Sequence, residues 1–289
     1  MAEEKERDEI LKKALIENTG IFLERAAAEA LLAIPTIGLE REVEFAFTTY
    51  GDKVEGNVDI VATYKLSTRQ NCLVCFVIEC KRVYKNYKSW VFERDETAKR
   101  MNFPYVYYDG AQNLPIRYDV DVILPSLQYL SETDYDQASN VFEFNTTGKP
   151  NSDKTDKPYI AMKQANAGLT GMANSPTRPM DIAGTPRVNR IFFVPIVVTT
   201  ADLFVASYNP QKIAIHTGTI EASELNLVQK NWVEFLFPLP TDLQIRGNVG
   251  NVQGTPPSKR ITYVVAASHL AEFCNGYIDD IDYHLRLPS

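Results

Sequence analysis

Two neighbouring stretches decide the fold: residues 56–65, with the sequence GNVDIVATYK, and residues 73–82, with the sequence LVCFVIECKR. In the second stretch, the six residues before Glu79 are all apolar, which is typical of a central strand that is covered on both faces. Glu79 and Lys81 then share one face, because residues two apart on a strand point the same way. Asp59 is the only charged residue in the apolar part of the first stretch. We therefore expect the two strands to pair and to present Asp59, Glu79 and Lys81 together.

The pattern outward from these strands predicts an α/β fold with a central mixed β-sheet flanked by helices. Two helices are predicted before them, at 4–17 and 21–34, and a further strand at 42–50. Prolines and a glycine within 175–186 predict a segment without regular structure. Downstream, the pattern predicts helices at 158–172 and 268–273 and strands at 120–124, 191–199, 202–208, 212–216, 233–237 and 261–265.

The composition is typical of a soluble protein with a real core, since 45% of the residues are hydrophobic. The longest apolar runs, at 73–78 and 191–198, are too short to cross a bilayer. The charged start of the chain does not resemble a signal peptide, so we expect a cytoplasmic protein without a membrane segment. Cys72 and Cys75 have Cys-x-x-Cys spacing, but on a strand they point to opposite faces. This favours buried reduced thiols over a zinc site.

The charge distribution leaves room for contacts with nucleic acid. The net charge of −7 argues against a generally basic coat. Residues 81–100 are nevertheless basic, with seven Lys or Arg residues against three Asp or Glu residues. Lys85, Lys88 and Arg94 are candidates for phosphate contacts, and Trp90 is a candidate for stacking on a base. An ordinary amphipathic segment without such a role explains the same pattern.

The motifs GNVDIVATYK and LVCFVIECKR resemble the paired strands of the PD-(D/E)xK, or restriction-endonuclease-like, nuclease superfamily. Val58 stands where the family name has proline, a departure that is frequent in the family. The resemblance implies that Asp59 and Glu79 bind Mg²⁺, for which Mn²⁺ can substitute, with help from the Cys80 main-chain carbonyl. It also implies that Lys81 orients the attacking water or stabilises charge on the phosphate.

Glu24 lies on an apolar stripe of the predicted helix at 21–34. A carboxylate in that position is costly unless a cation meets it. In the family, a GxxxE pattern on the first core helix often supplies an auxiliary acid, and GIFLE at 20–24 resembles it, so Glu24 joins the expected catalytic residues. Glu29 is the competing candidate, but Arg25 lies one turn before it and can pair with it. The resemblance also suggests Gln164, on the helix after the motif strand, as a nucleic-acid-binding residue.

We predict a single domain over residues 1–289. Its core is expected at about 20–81 and 158–208, with an insertion at about 82–157 and a C-terminal elaboration over 209–289. The resemblance implies a Mg²⁺-dependent endonuclease that hydrolyses DNA in restriction or anti-phage defence, with RNA the less expected substrate. It is compatible with a homodimer, since double-strand cuts usually need two centres, or with a partner protein of a defence system. The alternative is a catalytically inactive nuclease-fold module that binds nucleic acid or a protein partner.

Overall fold

The computed structural model describes residues 2–49, 52–66, 72–83, 87–94, 106–109, 114–118, 137–150, 157–185, 188, 190–240, 243 and 259–286. Within these ranges the helices are α1 (Ala2–Asn18), α2 (Ile21–Leu32), α3 (Lys157–Asn174), α4 (Thr177–Ile182) and α5 (Leu270–Arg286). The strands are β1 (Gly38–Thr49), β2 (Asp52–Lys65), β3 (Cys72–Lys81), β4 (Tyr87–Arg94), β5 (Val106–Asp109), β6 (Leu114–Tyr118), β7 (Gln137–Asn145), β8 (Arg190–Thr199), β9 (Asp202–Tyr208), β10 (Leu225–Lys230), β11 (Trp232–Pro238) and β12 (Lys259–Ala266).

The described strands form one mixed sheet in the order β1-β2-β3-β8-β12-β11-β7-β4-β9-β10, with the β5–β6 hairpin beside β8. β1, β2 and β3 are antiparallel neighbours, whereas β3 pairs in parallel with β8 from Cys72↔Arg190 to Lys81↔Thr199. All residues of β3 up to Cys80 are buried, as the apolar run predicts for a central strand. The predicted α/β architecture with a mixed sheet and flanking helices is confirmed.

The two faces of the sheet bury alternate residues of β3. Leu73 and Cys75 pack in the core beneath α3, whereas Cys72 and Val74 pack in the core that includes α2 and α5. The prediction that Cys72 and Cys75 point to opposite faces is therefore confirmed. Each of the four cysteines, all within the described ranges, is a buried thiol. Because helices cover both faces, a charged side chain that emerges from β3 meets little water.

The chain beyond β3 returns to the same sheet several times. β4 and β7, which come from the expected insertion, lie between β11 and β9. β12 and α5 come from the expected C-terminal elaboration, and β12 pairs in parallel with β8 near the middle of the sheet. Both segments therefore contribute to the main sheet and its core. None of the described helices is long and apolar enough to cross a membrane.

Two predictions about the downstream segments are wrong, and a third gives a helix that is too short. The stretch at 175–186 contains α4, because Pro179 lies in the first turn, where its missing N–H removes no helical hydrogen bond. The strand predicted at 212–216 is instead the end of a 3₁₀ helix, Pro210–Lys212, followed by a tight turn. The helix predicted at 268–273 continues to the end of α5, because buried apolar residues recur at helical spacing to Ile281. The strand predicted at 120–124 lies outside the described residues.

Candidate active site

Asp59 and Glu79 lie at the same end of the β2–β3 ladder. The antiparallel register ends at the pair of Ile60 with Ile78, so Asp59 lies one residue before the ladder on β2 and Glu79 one residue after it on β3. The main-chain N–H of Cys80 donates a hydrogen bond to Asp59 Oδ2 at 2.7 Å. This bond fixes the Asp59 carboxylate at the end of β3, so the structure brings the two predicted acids together.

Strands β1 and β2 both change face at this point. Val58 packs in the core beneath α3 and Ile60 packs in the opposite core, although residues two apart normally share a face. The flanking pairs of the β1–β2 register leave Glu42 opposite Asp59. Glu42 has a φ of 54°, in the left-handed region that side chains rarely adopt outside Gly, Asn and Asp. The sequence analysis missed Glu42, and a glutamate carries no signal for such a backbone conformation.

The buried carboxyl of Glu79 has a strongly raised pKa. Glu79 is only 6% exposed. Burial, and after it the negative charge of Asp59, raises the pKa of Glu79 to about 8. Lys81 opposes this increase, and Glu24 adds to it. At neutral pH the Glu79 carboxyl is therefore largely protonated unless a further positive charge approaches it.

The other two predicted acids belong to the same electrostatic group. Burial raises the pKa of Asp59, while the Cys80 N–H and the charge of Lys81 act to lower it. The pKa of Glu24 is raised by burial and then by the charges of Asp59 and Glu42. Sequence reasoning expected Asp59, Glu79, Lys81 and Glu24 to act together, and the structure places them within electrostatic reach of one another.

Helix α2 brings Glu24 to this group. The N-cap residue of α2 is Gly20, and a Cβ added there would come within 3.2 Å of Glu24 Oε1. The carboxylate thus lies back over the first turn, where main-chain N–H groups without helical partners favour negative charge. Leu23, Ala27 and Leu31 are buried and anchor the helix on the sheet. The glycine of the GIFLE pattern therefore leaves room for the acid that follows it.

Three hydrogen bonds hold the chain just after Lys81. Arg82 Nη1 donates to the Thr19 carbonyl oxygen at 3.3 Å and also to the carbonyl oxygen of Ile16. The Val83 N–H donates to Thr200 Oγ1 at 3.1 Å. These bonds tie the end of β3 to the α1–α2 junction and to the β8–β9 turn. Lys81 itself is half-buried between these fixed points.

The donor atoms of the site suit a hard divalent cation such as Mg²⁺, because carboxylate and carbonyl oxygens are the ligands that it prefers. In the part of the chain that the structure describes, no three or more His, Cys, Asp or Glu side chains are arranged to hold one metal ion. A cation here would rely on Asp59, Glu79 and a main-chain oxygen such as that of Cys80. Comparisons with family models, curated proteins and solved structures find no match to this chain. The geometry and the sequence motif therefore carry the functional argument.

The residues expected to bind nucleic acid are farther from one another in the fold than the residues of the motif are. Lys88 and Arg94 are exposed on β4, which is five strands from β3 in the sheet. Gln164 is exposed on α3, and Lys85 lies outside the described residues. The first residues of β4 are nevertheless near the end of β3, because Ser89 pairs with Asp202 just after the β8–β9 turn and the Val83 N–H bonds to Thr200 in that turn.

The expectation that Trp90 stacks on a base is wrong. Its side chain is fully buried in the core beneath α3, and its indole N–H donates to Glu143 Oε1 at 3.5 Å. Trp90 lies on β4 between β7 and β9, so a neighbouring strand covers each edge of β4. A side chain in this position supports the core and is inaccessible to a base.

Proposed function

We propose that this chain is a Mg²⁺-dependent endonuclease that hydrolyses DNA phosphodiester bonds on a restriction-endonuclease-like core. The observation that carries the proposal is the meeting of Asp59 and Glu79 at the end of a buried strand, with Lys81 two residues later. The order of elements along the chain supports the same function. A helix that supplies an acid comes first, and three antiparallel strands that carry this motif follow it. A role in restriction or phage defence rests on the resemblance alone.

The electrostatics of the acids support a role for a divalent cation. The negative charge of Asp59 raises the cost of ionising Glu79, and Lys81 offsets that cost only in part. Two carboxylates that share one site cannot both ionise cheaply without added positive charge. Asp59, Glu79 and the Cys80 carbonyl would hold Mg²⁺ or Mn²⁺. When bound, the cation supplies Lewis-acid activation of water and neutralises charge on the phosphate.

The remaining chemistry is assigned to the chain's own residues. The Lys81 ammonium stabilises the negative charge that develops on the phosphate in the transition state. The Cys80 N–H holds the Asp59 carboxylate in place before substrate arrives, so little reorganisation is needed. Glu24, whose pKa is raised by burial, accepts a proton more readily than an ordinary glutamate and is the auxiliary acid of the site.

Plasmid cleavage tests the proposal. The purified full chain is incubated with supercoiled plasmid, with and without Mg²⁺, beside Glu79→Gln and Lys81→Met variants. Each variant removes a charge at similar side-chain volume and is expected to reduce cleavage by about 100-fold or more. Glu55→Gln and Lys53→Met are the matched controls, because this exposed ion pair lies on β2 away from the motif. The controls should cut at the wild-type rate.

The same assay separates the alternatives. If the wild-type chain leaves plasmid, single-stranded DNA and RNA intact with Mg²⁺ and with Mn²⁺, the nuclease proposal is wrong. DNA binding without cleavage then supports the inactive module. Digestion of RNA alone keeps the chemistry but changes the substrate. Cleavage that persists in Glu79→Gln would assign the activity to another site or to a contaminant.

A further inference from the structure

Strand β10 is an edge of the sheet that exposes apolar side chains. Among the described strands it pairs only with β9, so the main-chain groups along its outer side face away from the sheet. Leu225, Leu227 and Val228 are 42%, 50% and 40% exposed. Every side chain from Leu225 to Gln229 is exposed, so neither face of β10 is covered by the described part of the chain. Edges of this kind are normally shortened, charged or covered, because they pair readily with other strands.

We infer that β10 pairs with β10 of a second copy of this chain, in an antiparallel and two-fold symmetric dimer with one continuous sheet. A two-fold interface joins the same surface of both copies. In an antiparallel ladder, alternate residues direct both their main-chain groups to the same side. Only every second residue of β10 can therefore form main-chain hydrogen bonds on the outer side of the strand. In a ladder of two β10 strands, each such residue must face a residue of the partner that also bonds on that side. This restricts self-pairing to registers centred on a residue.

Among these registers, the one centred on Leu227 matches charge as well as shape. It sets Leu227 opposite the partner's Leu227 and brings Glu224, the 3₁₀ residue just before β10, next to the partner's Lys230 at the end of the strand. Leu225 lies on the same face two residues away, so the leucines of both copies form one apolar cluster. Registers centred on Asn226 or Val228 do not bring Glu224 and Lys230 together. Within the chain, Glu224 already forms an ion pair with Lys212, whose Nζ lies 3.5 Å from Glu224 Oε1. The partner's Lys230 adds a second cation.

This dimer joins the molecules through the strand at one end of the described strand order, whereas the candidate active site lies on β2 and β3 near the other end of that order. The inference uses none of the site residues, and it stands or fails independently of the proposed nuclease activity.

Cross-linking tests the register directly. In the full-length Leu227→Cys variant, the two new thiols face each other across the symmetry axis. Oxidised glutathione is then expected to convert most of the protein to a disulfide-linked dimer, because directly opposed strand residues have the Cα separation that a disulfide needs. Val228→Cys is the matched control, since its partner position in this register is Asn226. It should remain largely monomeric on a denaturing gel without reductant.

Charge reversal and mass measurement test the interface in solution. Sedimentation equilibrium of the wild type should give twice the chain mass of 32.6 kDa at high concentration. Glu224→Lys and Lys230→Glu should each raise the dimer Kd by about fivefold or more, since like charges then oppose each other. The double variant should return the Kd to near the wild-type value. Glu221→Lys, an exposed reversal outside the strand, should leave the Kd unchanged.

Three outcomes would overturn the inference. The first is a wild-type chain that stays monomeric at all concentrations, as expected if another segment or a different protein covers β10. The second is a dimer whose Kd is unchanged by Leu227→Lys in a variant that keeps the wild-type circular dichroism spectrum. The third is equal cross-linking of Leu227→Cys and Val228→Cys, which would indicate random collision.

Discussion

β1 and β10, the strands at the two ends of the main strand order, differ in what they present to solvent. β1 buries Val43 and Phe45 on one face and exposes the charged residues Arg41, Glu42 and Glu44. β10 exposes leucine and valine with a single terminal lysine. Charged residues protect a free edge from pairing, whereas apolar residues invite it. The two ends of one sheet are therefore expected to behave differently in solution.

The difference also concerns function. The charges of β1 act on the candidate site, because Glu42 raises the pKa values of both Glu24 and Asp59. At that end, carboxylates repel each other in a partly buried place. At the β10 end, apolar side chains meet water. Both arrangements cost free energy in the isolated chain. Under the two proposals, a cation with its phosphate substrate would relieve the first and a second copy of the chain would relieve the second.

Removal of the Asp59 charge is the change with the largest expected effect at the β1 end. Asp59→Asn keeps an oxygen that accepts the Cys80 N–H but loses a carboxylate that the proposal assigns to the metal. Plasmid cleavage should fall by about 100-fold or more, while urea unfolding should show no loss of stability, because one repelling carboxylate is gone. Asp52→Asn, exposed on the same strand, is the control and should cut normally. Retained cleavage in Asp59→Asn would contradict the assigned site.

The pH dependence of stability separates the buried acid from the rest of the molecule. The pKa of Glu79 rises from 4.5 to about 8 on folding, so the folded state binds the extra proton. Its favourable contribution is complete below pH 4.5 and is lost as the pH rises through about 8. Relative to a variant without this group, wild-type stability should fall with pH by on the order of a few kcal/mol.

The difference in stability between the wild type and Glu79→Gln is measured by urea unfolding. The measurements run from pH 5 to pH 9, about two units on either side of neutrality. The variant should show the flatter profile, because glutamine does not titrate. Added Mg²⁺ should stabilise the wild type more at the alkaline end, where the carboxylate is available as a ligand. Parallel profiles for the two proteins would show that Glu79 titrates normally.

Local patterns were sufficient to predict the centre of the site. The apolar run before Glu79 predicted a central strand covered on both faces, and β3 is indeed buried from Cys72 to Cys80. Period-two alternation placed Glu79 and Lys81 together, and the apolar stripe of α2 singled out Glu24. These features depend on neighbours within a few residues, and such neighbours are visible in a sequence.

The remaining features depend on contacts that are distant in the chain. The burial of Trp90 follows from β7 and β9 pairing on either side of β4. The position of β12 beside β8 joins residues more than sixty apart in the chain. Glu42 reaches Asp59 only because β1 adopts a positive φ there, and no glycine marks that position. Side-chain type alone contains no signal for these pairings.

A substitution in the packing beside the site is expected to have a smaller effect, and this effect is on stability. Helix α3 approaches β2 so closely that a Cβ on Gly168 would lie 2.2 Å from Val58 Cγ2, next to Asp59. Gly168→Ala should cost about 1–3 kcal/mol from overpacking, of which about 1 kcal/mol is regained as helix propensity. Thermal unfolding measures the net loss. Lys163→Ala, exposed on the same helix, should stay within about 0.5 kcal/mol of wild type, and an equal loss there would argue against the close contact.

The smallest expected effect comes from giving β1 some of the character of β10. Glu44→Leu places an apolar side chain on the charged edge, opposite Asn57 in the β1–β2 register. It should change stability by less than about 0.5 kcal/mol, because the position is exposed. If charge is what protects β1, the variant should gain a weak, concentration-dependent association, seen by sedimentation in a Leu227→Lys background that removes pairing through β10.

The matched control for this variant is Glu29→Leu on α2. It loses the same charge and gains the same exposed side chain, but a helix has no unpaired main-chain edge. Equal association of the two variants would mean that exposed leucine alone is sufficient. Association of Glu44→Leu but not of Glu29→Leu would show that main-chain pairing drives it. In that case the charges of β1 have two roles, because Glu42 raises the pKa values of Glu24 and Asp59 while Glu44 keeps the edge of β1 unpaired.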